Sequence, residues 1–237
     1  MKKCFYVAGA SALVVTAVSS ADITGAWYEG RMVEATDFAG QPDFSGYVVD
    51  VWLESDDATD TVLNIFNFNM SNSMGDVTYY QSFTGTGWLP NNLGAPFETD
   101  ALQHADSFVS MGGRNADAES AYGSDGYVVQ MAFNGTGLDP SFGGNSAGAP
   151  GADAGWYNSD PENYIGSPVD GKVFIGRFSM NGVSDFDISG VVSVTWNNGI
   201  GTEGTQRKDI EIMEVPAPGA FALLGLAGLA GNRRRRA

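Results

Sequence analysis

Two residue types on which much enzyme chemistry depends are almost missing from this chain. Of 237 residues, one is cysteine (Cys4) and one is histidine (His104). Cys4 falls inside a segment read below as a signal peptide, so the mature chain has no thiol. That excludes disulfides, cysteine nucleophiles and thiolate metal sites together. A single histidine gives a Ser-His-Asp triad only one candidate base and leaves a zinc site short of ligands. Positive charge is also scarce. Half of the 12 basic residues sit in the terminal segments, whereas all 28 acids lie between Asp22 and Glu214, so the interior carries a net charge of −22. Such a surface repels phosphate backbones, and nucleic acid is excluded as a partner. Charged residues make up 17% of the chain, below the usual quarter. No window between the termini has a 3.6-residue apolar repeat, which argues against a helical bundle.

Glycine and aromatic residues are plentiful instead. There are 32 glycines, 14 Phe, 9 Tyr and 5 Trp, and glycine is at about twice its usual share. Segments 46–54, 60–69, 76–83, 126–133, 171–180, 186–196 and 208–214 are β-branched or aromatic-rich with period-two character, and they read as strands. Residues 101–109 allow one helical turn at most. The first strand pair flanks a six-residue acidic connection, Ser55-Asp56-Asp57-Ala58-Thr59-Asp60, as expected of a hairpin with solvated acids at its tip. Residues 135–155 are rich in glycine and proline and read as a loop excursion. Seven or more strands joined by polar turns predict one all-β domain over residues 22–214, a single antiparallel β-sandwich of jelly-roll or immunoglobulin/cohesin-like type. The segment order resembles cohesin-like and carbohydrate-binding sandwiches. That resemblance implies a fold, and such folds host unrelated functions.

Both ends read as addresses. Lys2-Lys3, an apolar stretch over residues 6–18, and Ser19-Ser20-Ala21 have the order of a secretory signal, with cleavage expected between Ala21 and Asp22. The partners expected here are the export machinery and a signal peptidase. Cys4 precedes the apolar stretch, so a lipoprotein signal does not fit. At the other end, Val215-Pro216-Ala217-Pro218-Gly219 excludes a helix. An apolar run over residues 220–231 follows, then Arg233, Arg234, Arg235 and Arg236. Twelve residues at helical rise span ~18 Å, short of a ~30 Å hydrocarbon core, and arginines on the cytoplasmic side would act as a membrane stop. This three-part tail is similar to the PEP-CTERM sorting signal of exported bacterial proteins, with Ala217 where that family usually has an acid. The resemblance covers residues 215–237 only. It implies an exosortase-like sorting enzyme, transient residence in the inner membrane, and delivery to the cell surface or extracellular matrix.

Candidate chemistry in the body is sparse. Gly144-Asn145-Ser146-Ala147-Gly148 matches G-x-S-x-G, but turn residues flank it where a nucleophile elbow needs a strand and a helix. Carboxylate pairs that might cleave glycosidic bonds cannot be told apart among 28 acids. Asp56, Asp57 and Asp60, and secondarily Asp185 with Asp187, are the candidate calcium ligands, because calcium takes oxygen ligands from loop carboxylates. No complete calcium-loop motif is present, and a solvated acidic turn is the simpler reading. Trp88, Trp156 and Tyr157, with Tyr164, sit in polar, loop-like stretches and are the candidate glycan-stacking residues. Asn158, Asp160 and Asn163 stand nearby as hydrogen-bonding groups. Trp52 and Trp196 lie in strands and are expected in the core. Taken together, the sequence predicts a non-catalytic, surface-targeted β-sandwich with a structural or adhesive role. It has no required cofactor, with calcium as an option and extracellular polysaccharide as a candidate partner. A carbohydrate-binding module is the alternative, and a calcium-dependent glycan-active enzyme is a third.

Overall fold

The computed structural model describes residues 22–75, 78–85, 87–88, 96–112, 136–138, 154–158, 166–199, 201–202 and 204–214. The signal segment, the sorting tail with its apolar run, the expected strand 126–133 and the G-x-S-x-G stretch lie outside them. The body is nearly all β. Among the described residues, nine strands form one sheet: β1 (Ile23–Ala35), β2 (Phe44–Ser55), β3 (Thr61–Asn72), β4 (Phe108–Val109), β5 (Thr136–Leu138), β6 (Ala154–Asn158), β7 (Lys172–Asn181), β8 (Ile188–Asn197) and β9 (Gln206–Glu214). The helix α1 (Asp100–His104) is one short turn, as the sequence expects.

The sheet runs in the order β4-β7-β2-β1-β9-β8-β3-β6-β5. It folds over itself into a sandwich that is almost a closed barrel. Single hydrogen bonds draw its two sides together beyond the strand ladders. Trp156 Nε1 donates to Ser110 O (2.8 Å), Gly166 N to Gly112 O (3.0 Å), and Val62 N to Gly166 O (2.9 Å). Gly166 has φ +91°, and a Cβ there would run into the Val62 carbonyl, so only glycine makes this approach. The described ladders are antiparallel with one exception: β1 pairs β9 in parallel. That pairing brings both ends of the domain to the sheet's centre.

Period-two alternation explains the core. Val49, Val51 and Leu53 of β2, Val62 and Ile65 of β3, Val192, Val194 and Trp196 of β8, and Ile210 and Ile212 of β9 point inward with Trp88, Trp156 and Phe178. β2 is buried on its outer face too. There Ala101 of α1 and its C-cap residue Ala105 cover Phe44 and Val48, together with Ala35 at the end of β1. Farther along the same face, Asp50 is fully buried and pairs with Arg177, whose Nε donates to Oδ1 at 2.7 Å, and also with Arg31. Arg177 also donates to Gln103 O of α1 (2.6 Å).

Four expectations about elements need correction. The stretch 135–155, expected as a loop, contains β5 and the start of β6, and β2 and β3, expected as a hairpin, pair with β1 and β7 and with β6 and β8 instead of with each other. The described part of segment 76–83 forms no strand of the sheet. It passes β7 with isolated hydrogen bonds, Tyr80 N–H to Ser179 O (2.7 Å) and Ser107 N–H to Tyr80 O (3.1 Å). Conversely, β1 is a central strand that the sequence reading misses. Gly25, Gly30, Glu29, Arg31 and Glu34 break its alternation, while backbone ladders on both sides hold it.

Candidate functional site

The structure moves the candidate site away from the residues the sequence singles out. Trp88 is 0% exposed and Trp156 1% exposed, so neither ring can stack on a sugar. The expectation fails because Trp156 lies in β6, its indole edge-to-face with Phe68, and Trp88 packs against Tyr79 and Phe178. Short polar neighbours conceal core positions here. Tyr157 alone of the three is exposed, at 49%, on the outer side of β6. Asn158 is buried, and Tyr164, Asp160 and Asn163 fall outside the described residues.

The acidic connection between β2 and β3, strands that do not pair with each other and so form no hairpin, does not gather its carboxylates around one point. Asp57 Oδ1 accepts from the N–H and hydroxyl of Thr59, both at 2.8 Å, closing the turn on itself. These bonds hold the Asp57 carboxyl below its ordinary value. Asp56 Oδ1 accepts from Asp22 N–H (2.7 Å), and buried Asp60 accepts from the Ser55 hydroxyl (2.7 Å). Burial raises the Asp60 carboxyl, with the charges of Asp57, Asp56 and Asp22 adding to it. Asp187 accepts from Tyr28 OH at 3.2 Å. Among the described residues, no three His, Cys, Asp or Glu side chains are placed to share a metal ion. His104 closes the last turn of α1.

What the fold does assemble is a knot around Asp37, in the connection between β1 and β2. Its Oδ1 accepts from Phe38 N–H (2.7 Å), Ser82 Oγ (2.9 Å) and Thr99 Oγ1 (3.3 Å). Its Oδ2 accepts from Tyr80 OH (2.7 Å) and Phe83 N–H (2.9 Å). Three chain segments, 36–38, 80–83 and 97–99, are thereby tied to one carboxylate. Burial alone would raise the Asp37 pKa, but the bonds from Phe83, Tyr80, Phe38 and Ser82 outweigh it and hold the group below its ordinary value. A carboxylate with about four lone-pair sites is saturated by such donors. It has no free oxygen lone pair to act as a base.

Each tied segment carries one phenylalanine to the surface. Phe38 stacks on Phe83 at 5.6 Å between centroids and 24° between planes, and on Phe97 at 6.0 Å and 9°. At those separations near-parallel rings are offset, so part of each face stays uncovered. Phe83 is 59% and Phe97 49% exposed. The floor beneath is rigid. Tyr80 packs its ring on Phe44 (4.7 Å) while its hydroxyl reaches Asp37, and Ser82 N–H donates to Asp106 Oδ1 (2.8 Å). Asp106 is 1% exposed, and burial pushes its carboxyl well above the ordinary value despite the nearby charge of Arg177. A Cβ on Gly85 would come within 2.7 Å of Asp106, so the loop after Phe83 packs directly on this carboxyl. Asp43 and Asp100 stand at the rim, bonded to Asp37 N–H (3.4 Å) and the Thr36 hydroxyl (3.1 Å).

Comparison with protein-family models, curated proteins and solved structures finds no match.

The site must therefore be judged by its own chemistry. It offers stacked ring faces and rim carboxylates as acceptors. A local signal existed in the sequence: Phe38, Phe83 and Phe97 each sit among turn-forming residues, in Asp37-Phe38-Ala39-Gly40, Ser82-Phe83-Thr84-Gly85 and Pro96-Phe97-Glu98. An aromatic isolated from β-branched neighbours is poorly placed for a strand core.

Proposed function

We propose that this is an exported, non-catalytic adhesive protein of the cell surface or extracellular matrix, which makes contact through the Phe38–Phe83–Phe97 stack. The observation that carries the reading is the Asp37 knot. It fixes three stacked rings from separate segments in one arrangement, with Phe38 half-buried and Phe83 and Phe97 exposed, at the cost of leaving apolar surface in water. Apolar surface displayed on a rigid base within a polar rim marks an interaction site. Ordering it in advance lowers the entropy lost on binding. The delivery route rests on the two terminal segments: an N-terminal signal removed at Ala21–Asp22, and a tail that halts in the inner membrane and is released near Val215–Gly219.

Cell fractionation tests both halves. Wild-type chain is expected on the surface, beginning at or near Asp22 and ending near residues 215–219. Serine in place of Arg233 to Arg236 should send unprocessed chain to the medium. Serine at Phe83 and Phe97 should leave processing intact and move the processed chain from surface to medium. Equal surface retention of that double variant would refute the adhesive role of the stack, and an intact Met1 terminus would refute the export route.

A further inference from the structure

We infer that the partner of the phenylalanine stack is a neutral polysaccharide of the surface matrix, an inference that rests on the adhesive reading above. Three observations select this class of ligand.

The first is geometry. Phe83 and Phe97 each lie against Phe38, at 5.6 and 6.0 Å with planes within 24° of parallel, and each keeps about half of its surface open to solvent. A sugar ring has a face of C–H groups that packs on an aromatic face, and hydroxyls around its edge that need acceptors. The uncovered portions of Phe83 and Phe97 provide the former. Asp43 and Asp100, both exposed at the rim, provide the latter.

The second is charge. With −22 over the interior and carboxylates at the rim, the surface repels acidic polysaccharides, anionic membranes and a second copy of itself. A neutral chain of hydroxyl donors meets no such barrier. The third is rigidity. Asp37 holds the backbone of Phe38 and Phe83 directly, and holds Thr99 two residues beyond Phe97. The platform is therefore formed before the ligand arrives, which favours a weak, repeated contact over an induced clamp.

The test uses the purified full chain and matrix isolated from the surface of cells lacking it. One portion of matrix is oxidised with periodate, which cleaves the vicinal diols of sugars, and another is digested with protease. Binding is expected to survive protease and to be lost after periodate. Soluble mannan or a β-glucan should compete, and alginate, a polyanion, should not. Phe83→Ser and Phe97→Ser should each weaken binding by about tenfold, and Phe83→Tyr, which keeps the ring, should restore it. Binding that protease abolishes, or that survives periodate and is not competed by the neutral polymers, overturns the polysaccharide assignment. If that binding is still lost in the Phe83→Ser variant, the adhesive reading stands with a protein partner in place of a glycan. Competition by alginate equal to that by the neutral polymers also overturns the assignment.

Discussion

At the scale of single residues, two aspartates of one hydrogen-bonded network have opposite pH behaviour. Asp37 is held below its ordinary value of 3.8 by its donors. The folded state therefore binds that proton less readily than the unfolded state. The stabilisation is present above pH 3.8 and is lost as pH falls through the lower folded value. Asp106 lies on the other side of Ser82 and is raised well above 3.8 by burial. Its folded state holds the proton to higher pH than the unfolded state, so its favourable contribution is full below 3.8 and declines as pH rises through the higher folded value. Melting curves against pH separate the two. Asp37→Asn is expected to lower stability at pH 7 by about 1–3 kcal/mol, because an amide nitrogen would face donors that now find a carboxylate oxygen. That deficit should shrink toward pH 3. Asp106→Asn is expected to raise stability at pH 7, with the gain vanishing in acid. A loss of stability in Asp106→Asn at pH 7 would mean that the ionised carboxylate is needed there. The buried Asp50 has a different role: removing it leaves Arg177, 1% exposed, without its carboxylate. Asp50→Ala should cost about 3–5 kcal/mol in denaturant unfolding.

At the scale of elements, the strands that sequence periodicity makes legible are those whose two faces differ or are uniformly apolar. β2, β3, β7, β8 and β9 all fall within a few residues of the expected bounds, because Val, Ile and Phe alternate or run continuously along them. β1 is hidden by its glycines and charges: its place is fixed by hydrogen bonds to β2 and β9, which no local pattern records. β6 is hidden by brevity, since Ala154-Gly155-Trp156-Tyr157-Asn158 has the composition of a loop. That composition makes the core residue Trp156 look like a surface residue. The site was illegible for a related reason. Asp37, Phe83 and Phe97 are separated by up to 60 residues, and only the fold brings them together. Mutation should distinguish buried from displayed aromatics sharply. Trp156→Ala removes a core indole and its bond to Ser110 O, and is expected to cost about 3–5 kcal/mol. Phe83→Ser removes a ring already 59% exposed and should cost under about 1 kcal/mol. Comparable losses by thermal unfolding would mean that the exposed stack is part of the stabilising core.

At the scale of the whole molecule, a nearly closed sandwich supplies rigidity and an acidic surface supplies solubility. The described chemistry converges on one displayed patch. The patch lies beside α1, where the outer face of β2 is already covered and where the segments 36–38, 80–83 and 97–99 meet over Phe44 and Tyr80. On the proposed route, the two terminal segments deliver this domain and the patch retains it. The central claim is that Asp37 holds the three rings ready for contact. It is tested most directly by the binding isotherm of the full chain on isolated surface matrix at pH 7, wild type beside Asp37→Asn, with both shown folded by their unfolding transitions. All three rings are present in both proteins, and only their fixation differs. Saturable binding by wild type, weakened about tenfold in Asp37→Asn, is the expected result. An unchanged isotherm for a folded Asp37→Asn protein would contradict the claim.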